Sequence, residues 1–295
     1  MVLFADDTNL LYTGQNINTL TSHINSSLNG IFKWFSTNKL SLNVEKTNFV
    51  LFHGTRQTIP DFPFPIRIDG KPVKRVPVLK FLGTFLNQNM NWKEHIKIKS
   101  NQVAKVNGVL CRLKHQLPLN ILRTIYNSLI LPHLNYGIIS WGNTTSREFK
   151  RLKTLQKKSV RIISNSKYIS HTDPLFKKLK LLKIDDIFKY SCSKTYHKLS
   201  NGLMPIYFQN ELELNSHIHS HSTRQQNLIH TRNINSELLK QSINFKISHC
   251  WNNLPREIKD KTHLSINSFS NSIKKYLLSH YQYSCNKPGC YVCSN

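Results

Sequence analysis

Acid is what this chain has least of. Fifteen Asp and Glu stand against 41 Lys and Arg in 295 residues, for a formal net charge of +26. Such a balance points to a polyanionic partner, nucleic acid most simply or else an anionic membrane surface. Long apolar runs are missing too. No stretch of about 18 uncharged apolar residues occurs, so no transmembrane helix is expected. The apolar start lacks a basic leader segment and is broken by Asp6 and Asp7, so no secretory signal is expected. There is no internal repeat, and no Ser-His-Asp or Cys-His arrangement presents itself as a nucleophile.

Cysteine is sparse, with six residues. Cys111, Cys192 and Cys250 stand alone in apolar or helical contexts and read as ordinary thiols of a reducing compartment. Cys285, Cys290 and Cys293 cluster as C-x4-C-x2-C in the tail. A closed zinc site needs four ligands, and His280 is the candidate fourth. A zinc knuckle that binds nucleic acid and a terminal segment with free thiols both fit this spacing. His217, His219 and His221 alternate within a Ser/Asn-rich stretch and read as a solvated loop rather than a metal site.

What is present suffices for real cores. The chain is 39% hydrophobic and long enough for two or three compact units. Its charge is uneven. Residues 1–50 are neutral, whereas 151–200 carry thirteen Lys/Arg against three Asp, which suggests units with different tasks. Residues 1–14 alternate as two strands around a tight turn. Residues 17–35 repeat Ile17, Leu20, Ile24, Leu28, Ile31 and Phe35 at helical spacing. Residues 48–54 read as a buried strand, 66–73 as a hairpin around Asp69-Gly70, and 78–86 as a strand containing a glycine. From Trp92 onward the pattern is helical: 92–115, then 119–131 stopped by Pro132, then 145–163, 174–182, 184–200, and segments near 236–250 and 265–280.

Asp6 and Asp7 sit at the tip of the first hairpin. Two like charges there repel unless something positive joins them, and carboxylate oxygens suit Mg²⁺ shared with substrate phosphates. The plain structural alternative is that Asp-Asp favours a turn. "FADD" followed by an apolar strand resembles the [F/Y]xDD active-site hairpin of reverse transcriptases. "WFSTNKLSLNVEKTNFVLF" (34–52) resembles the next palm motif of that family, and "LKFLGTFLNQNMNWKEHI" (79–96) its primer-grip hairpin leading into the thumb. "YGIISWGNT", "LQKKSVRII" and "WNNLP" are similar to the C-terminal part of the polyproteins of jockey-like non-LTR retrotransposons.

The resemblance implies an α+β fold. A partial reverse-transcriptase palm of antiparallel hairpins plus a helix (1–90) would be followed by a basic helical thumb (91–165), a helical C-terminal region (166–280) and a cysteine tail (281–295). It implies RNA-directed DNA synthesis, with Asp6 and Asp7 as Mg²⁺ ligands and Lys46 as general acid or electrostatic partner of the leaving pyrophosphate. Leu82 and Gly83 would approach the primer end, glycine permitting close backbone contact, with a plain β-bulge as the alternative. Lys97, Lys105, Arg112, Lys114, Lys150, Arg151, Lys157, Lys158 and Arg161, with Lys99 among them, would track the template–primer backbone. Trp92, Tyr136 and Trp141 read as base-stacking platforms or as core anchors.

The family's first catalytic aspartate and its fingers lie upstream of the FADD hairpin and have no counterpart here. The chain is therefore expected not to polymerise alone. A non-catalytic nucleic-acid-binding remnant and a part that acts with an upstream half in trans are the competing expectations. Asn87 also departs from the acidic residue expected after the FLG block. An intracellular, nuclear setting is implied by the resemblance and the charge.

Overall fold

The computed structural model describes residues 1–295 except 6, 55–64, 145–146, 206–207, 209–211, 219–223, 232–233 and 283–295, and only the backbone of 237–238. The chain divides into two compact units, Met1–Glu94 and His95–Asn295.

The first unit is a helix with four two-stranded ladders among the described residues. β1 (Val2–Phe4) and β2 (Asp7–Asn9) pair antiparallel with Phe4 opposite Asp7, and Ala5 turns the chain at φ 51°. α1 (Ile17–Thr37) starts where Asn16 accepts from the Asn18 N–H at 2.8 Å. It ends in a left-handed Lys39, where the Leu40 N–H reaches back to Phe35 O at 2.9 Å. All six residues of the expected apolar stripe are half-buried.

β3 (Asn48–Phe49) pairs parallel with β6 (Lys74–Arg75), and β4 (Arg67–Ile68) pairs antiparallel with β5 (Lys71–Pro72). Asp69 and Gly70 both have positive φ, as a two-residue hairpin turn demands. The small core holds Ile66, Ile68 and Val73, with Ile24, Leu28, Phe32, Leu42, Val44 and Phe49 packed around them. Asn25 of α1 fixes the helix to this ladder, donating to Pro65 O and accepting from the Arg67 N–H.

Two expectations change here. The strand expected over 48–54 is only two residues long and half-buried. Its partner β6 lies between Pro72 and Pro77, which lack backbone donors and stop the ladder. Residues 78–86 are a hairpin rather than one strand: β7 (Val78–Phe81) and β8 (Thr84–Asn87) pair antiparallel around Leu82 (φ 43°) and Gly83 (φ 80°).

The second unit is helical. α2 (Lys93–Leu113), whose first two residues belong to the first unit, is followed by α3 (Leu119–Ile125), α4 (Leu131–Asn135), α5 (Ile138–Trp141), α6 (Arg147–Ile163), α7 (Asp173–Leu179), α8 (Ile184–Ser200), α9 (Ile243–Asn252) and α10 (Ile266–Ser279). Short turns lie between the last of these. Pro132 does not stop its helix. A π-helical turn, Tyr126–Ile130, joins α3 to α4, and the Leu131 N–H reaches five residues back to Tyr126 O. The wider turn makes room for a ring that would clash with an α-helical carbonyl.

α8 is the hub. It packs on α4 and α5 from one side of the sequence and on α9 and α10 from the other. Residues 91–165 and 166–280, expected as separate regions, thus share a core that includes Tyr126, Trp141, Phe176 and Phe269. Buried polar groups pin it. Gln156 of α6 donates to Tyr126 Oη and Leu182 O and accepts from the Ile184 N–H, each at 2.9 Å. At the far end Tyr281 Oη donates to Asp186 at 2.6 Å and accepts from the Lys183 N–H at 2.9 Å. None of these polar partners lies close in sequence, so every satisfied group fixes two segments at once.

Candidate nucleic-acid interface

The acidic hairpin offers one described carboxylate. Asp7 is exposed at the first position of β2, one residue past the turn. Asp6 lies outside the described residues, as do Cys285, Cys290, Cys293, His219 and His221. Among the described residues no three His, Cys, Asp or Glu come together as metal ligands. Carboxylate oxygens are the right chemistry for Mg²⁺, but one hairpin supplies part of an oxygen cage at most. His280, considered as a zinc ligand, sits exposed with its Nδ1 2.8 Å from Tyr276 O. His217 is exposed in the short turn Asn215–Ile218.

Lys46 is exposed in a single turn before β3. Its backbone N–H donates to Asn43 Oδ1 at 3.1 Å, and Thr47 Oγ1 donates to Asn43 O at 2.9 Å, so the turn is fixed while the ammonium faces water. Leu82 and Gly83 form the two-residue turn of the β7–β8 hairpin, with Phe81 paired to Thr84. A tight turn, not a bulge, is what presents this backbone. Asn87 acquires a specific role. It donates to Asn91 Oδ1 at 2.6 Å and accepts from the Asn91 N–H at 2.9 Å, while Asn91 Oδ1 also accepts from the Lys93 N–H that begins α2. A carboxylate at 87 can accept but not donate, so the acidic residue expected there would break half of this clasp.

The basic face is built by two helices. Between residues 95 and 172 there are fourteen Lys/Arg and a single acid, Glu148. On α2, Lys97, Asn101, Lys105 and Arg112 recur at spacings of four, four and seven, which places them on one stripe, and all are exposed. On α6, Arg147, Arg151 and Lys158 form one exposed stripe and Lys150 and Lys157 a second. Three contacts align the helices. Arg151 donates to Asn101 Oδ1 at 3.2 Å, Asn107 donates to Leu155 O at 3.0 Å, and Lys114 Nζ lies 3.4 Å from Asn165 Oδ1. The partners advance together along both helices, so α2 and α6 run parallel with their cation stripes side by side.

Not every expected cation joins this face. Arg161 is half-buried. Its Nε donates to Ser170 O at 2.9 Å, its guanidinium lies 5.9 Å from the Tyr168 ring centre, and burial lowers its pKa. It docks the loop after α6 rather than facing a ligand. Lys114 is half-buried against Asn165, and Lys99 is buried in the turn of α2 that faces the core. Trp141 is wholly buried and donates from Nε1 to Tyr136 O at 3.0 Å, so it is a core anchor, while Tyr136 keeps an exposed ring.

Several groups escaped the sequence. Lys246 is buried and donates to Ser140 O at 2.6 Å and Ile139 O at 3.5 Å, capping the end of α5; burial lowers its pKa. Cys192 and Cys250, which read as solitary, meet across α8 and α9. Their hydrogen bond raises the Cys192 thiol and lowers that of Cys250. His95 packs its ring 5.3 Å from that of Trp141, and burial, with Lys99 nearby, pushes it down to about 4. Helical periodicity places such residues inward, but only the fold supplies their distant partners.

No family model and no solved structure matches the chain. It is 27% identical over 201 residues to the probable RNA-directed DNA polymerase from transposon X-element of Drosophila melanogaster, covering 67% of this chain and 22% of the relative. It is 24% identical over 201 residues to the RNA-directed DNA polymerase from mobile element jockey of the same fly, covering 67% of this chain and 21% of the relative. The jockey polymerase of Drosophila funebris is 25% identical over 199 residues. The chain spans about a fifth of the length of the curated relatives it matches. Over two thirds of its length, then, the chain is homologous to a segment of the RNA-directed DNA polymerases of jockey-like non-LTR retrotransposons.

Proposed function

We propose that this chain contributes the rear of the palm and the thumb to an RNA-directed DNA polymerase of a jockey-like element, and that it grips the template–primer backbone in the nucleus. The observation that carries the reading is the parallel α2–α6 face, whose stripes set Lys97, Lys105 and Arg112 beside Arg147, Arg151 and Lys158 with one acid in the whole stretch. Such a face neutralises phosphates and releases their counterions without reading bases. The first unit supplies the hairpins: Asp6 and Asp7 as Mg²⁺ ligands, Lys46 near the leaving group, Leu82–Gly83 toward the primer. A bound Mg²⁺ supplies positive charge for the phosphoryl group. The chain's own residues hold the hairpin tip, and an ammonium at Lys46 offsets charge on a departing oxygen.

The test is a salt-dependent binding titration with an RNA–DNA primer–template. Affinity should fall steeply with salt, and Lys97→Gln/Lys105→Gln/Arg112→Gln should reduce the log–log slope by roughly 2–3. Binding that ignores salt, or that survives the triple substitution unchanged, overturns the reading. A nucleic-acid-binding remnant without chemistry is the second reading, favoured by the exposed α2–α6 cation stripes, which need no reacting group to hold a phosphate backbone. Primer extension with dNTPs and Mg²⁺ separates the two. Extension that is lost in Asp7→Asn, with or without an upstream half added, assigns chemistry to the hairpin; none under either condition leaves only the grip.

A further inference from the structure

Four lysines of the second unit line one open groove of about 750 Å³. Lys177 and Lys180 come from the C-terminal end of α7, and Lys274 and Lys275 from α10, with Asn271 and Ser279 beside them. Among the described residues no carboxylate lines it. Among the same residues, Lys180, Lys274 and Lys275 take part in no ion pair.

The arrangement is costly in two ways. Partial burial, then Arg123 of α3, then Lys180 hold the Lys274 ammonium below its usual range, so like charges crowd a half-buried group. Lys180 caps α7 in the left-handed region at φ 54° and ψ 38°, where glycine is the unstrained residue. Neither cost is needed to pack α7 on the end of α10. Phe176 against Tyr281, with ring centres 6.3 Å apart, and Lys177 Nζ donating to Tyr281 O at 2.8 Å already do that. A bound anion would relieve the first cost and give the second a use.

We infer that this groove binds the phosphodiester backbone of nucleic acid, as a second contact carried by helices other than α2 and α6. The inference rests on the nucleic-acid reading above. Four cations spread through a groove of this size exceed what one phosphate requires, and the asparagine and serine add neutral donors for phosphate oxygens. Leu278 is the only apolar side chain lining it among the described residues, which does not suit insertion into a bilayer.

The experiment is an anisotropy titration of the full chain with a labelled single-stranded oligonucleotide across a salt series. Lys180→Gly/Lys275→Gln should weaken binding roughly ten- to thirtyfold at about 0.1 M salt and reduce the log–log slope by about 1.4. Lys180→Gly alone should raise the melting temperature while weakening binding, a pairing that a purely structural lysine would not give. Unchanged affinity and slope in the double variant, with binding still lost in the α2 triple variant, overturns the groove and leaves the broader reading standing. No binding by the unaltered chain overturns both. Capture by phosphatidylserine vesicles that the oligonucleotide cannot displace assigns the lysines to a membrane and overturns the inference.

Discussion

His95 shows how one side chain ties stability to pH. Its ring is wholly buried beside Trp141, and burial with the Lys99 charge pushes its pKa down to about 4 from an ordinary value near 6.5. Below pH 6.5 the unfolded chain takes up a proton that the folded one refuses. The stabilisation is therefore complete above pH 6.5 and is lost as pH falls toward 4, by on the order of 2–3 kcal/mol. Melting curves from pH 7.5 to pH 5 should show this loss, and His95→Gln should flatten it. Helical spacing puts Ile96, Val103 and Leu110 on one face of α2, and they are wholly buried. Lys99 and Arg161 read as outward because lysine and arginine rarely go inside. The long stems allowed the opposite: Lys99 is buried on the core face, and Arg161 reaches a loop carbonyl.

Among the elements, turns were most legible where chemistry is local. Asp69-Gly70 announced its hairpin because few residues accept two successive left-handed conformations. No atom lies within 4 Å of a Cβ built on Gly70, so Gly70→Ala should cost only the backbone penalty, about 1 kcal/mol. A denaturant midpoint would measure it, and a loss several times larger would mean that the site is crowded after all. Leu82-Gly83 was harder to read, since leucine seldom begins such a turn. Pro132 misled for a different reason. Proline forbids an α-helical hydrogen bond, but a π-turn removes the conflict, and nothing local in Tyr126–Ile130 announces that turn. Tyr126 is held by Gln156, thirty residues away, a constraint that no window of sequence contains.

At the scale of the whole molecule, charge sets two opposed responses to salt. A chain with net charge +26 repels itself, and screening should relieve that repulsion. Raising NaCl from about 0.05 to 0.5 M should increase the melting temperature by roughly 3–5 °C, while binding to nucleic acid weakens over the same range. If stability fell with salt instead, specific ion pairs rather than net charge would dominate. The sequence pattern changes from strands to helices at Trp92 and the compact units divide after Glu94, whereas the unity of the helical unit has no local signal, because α8 joins segments that composition alone would separate. That unity has a temporal side. Lys177 waits for the carbonyl of Tyr281, 104 positions later, and Asp186 for its hydroxyl, 95 positions later. A polypeptide emerging from the ribosome therefore presents the finished α2 and α6 well before the clasp that closes their own domain has been synthesised.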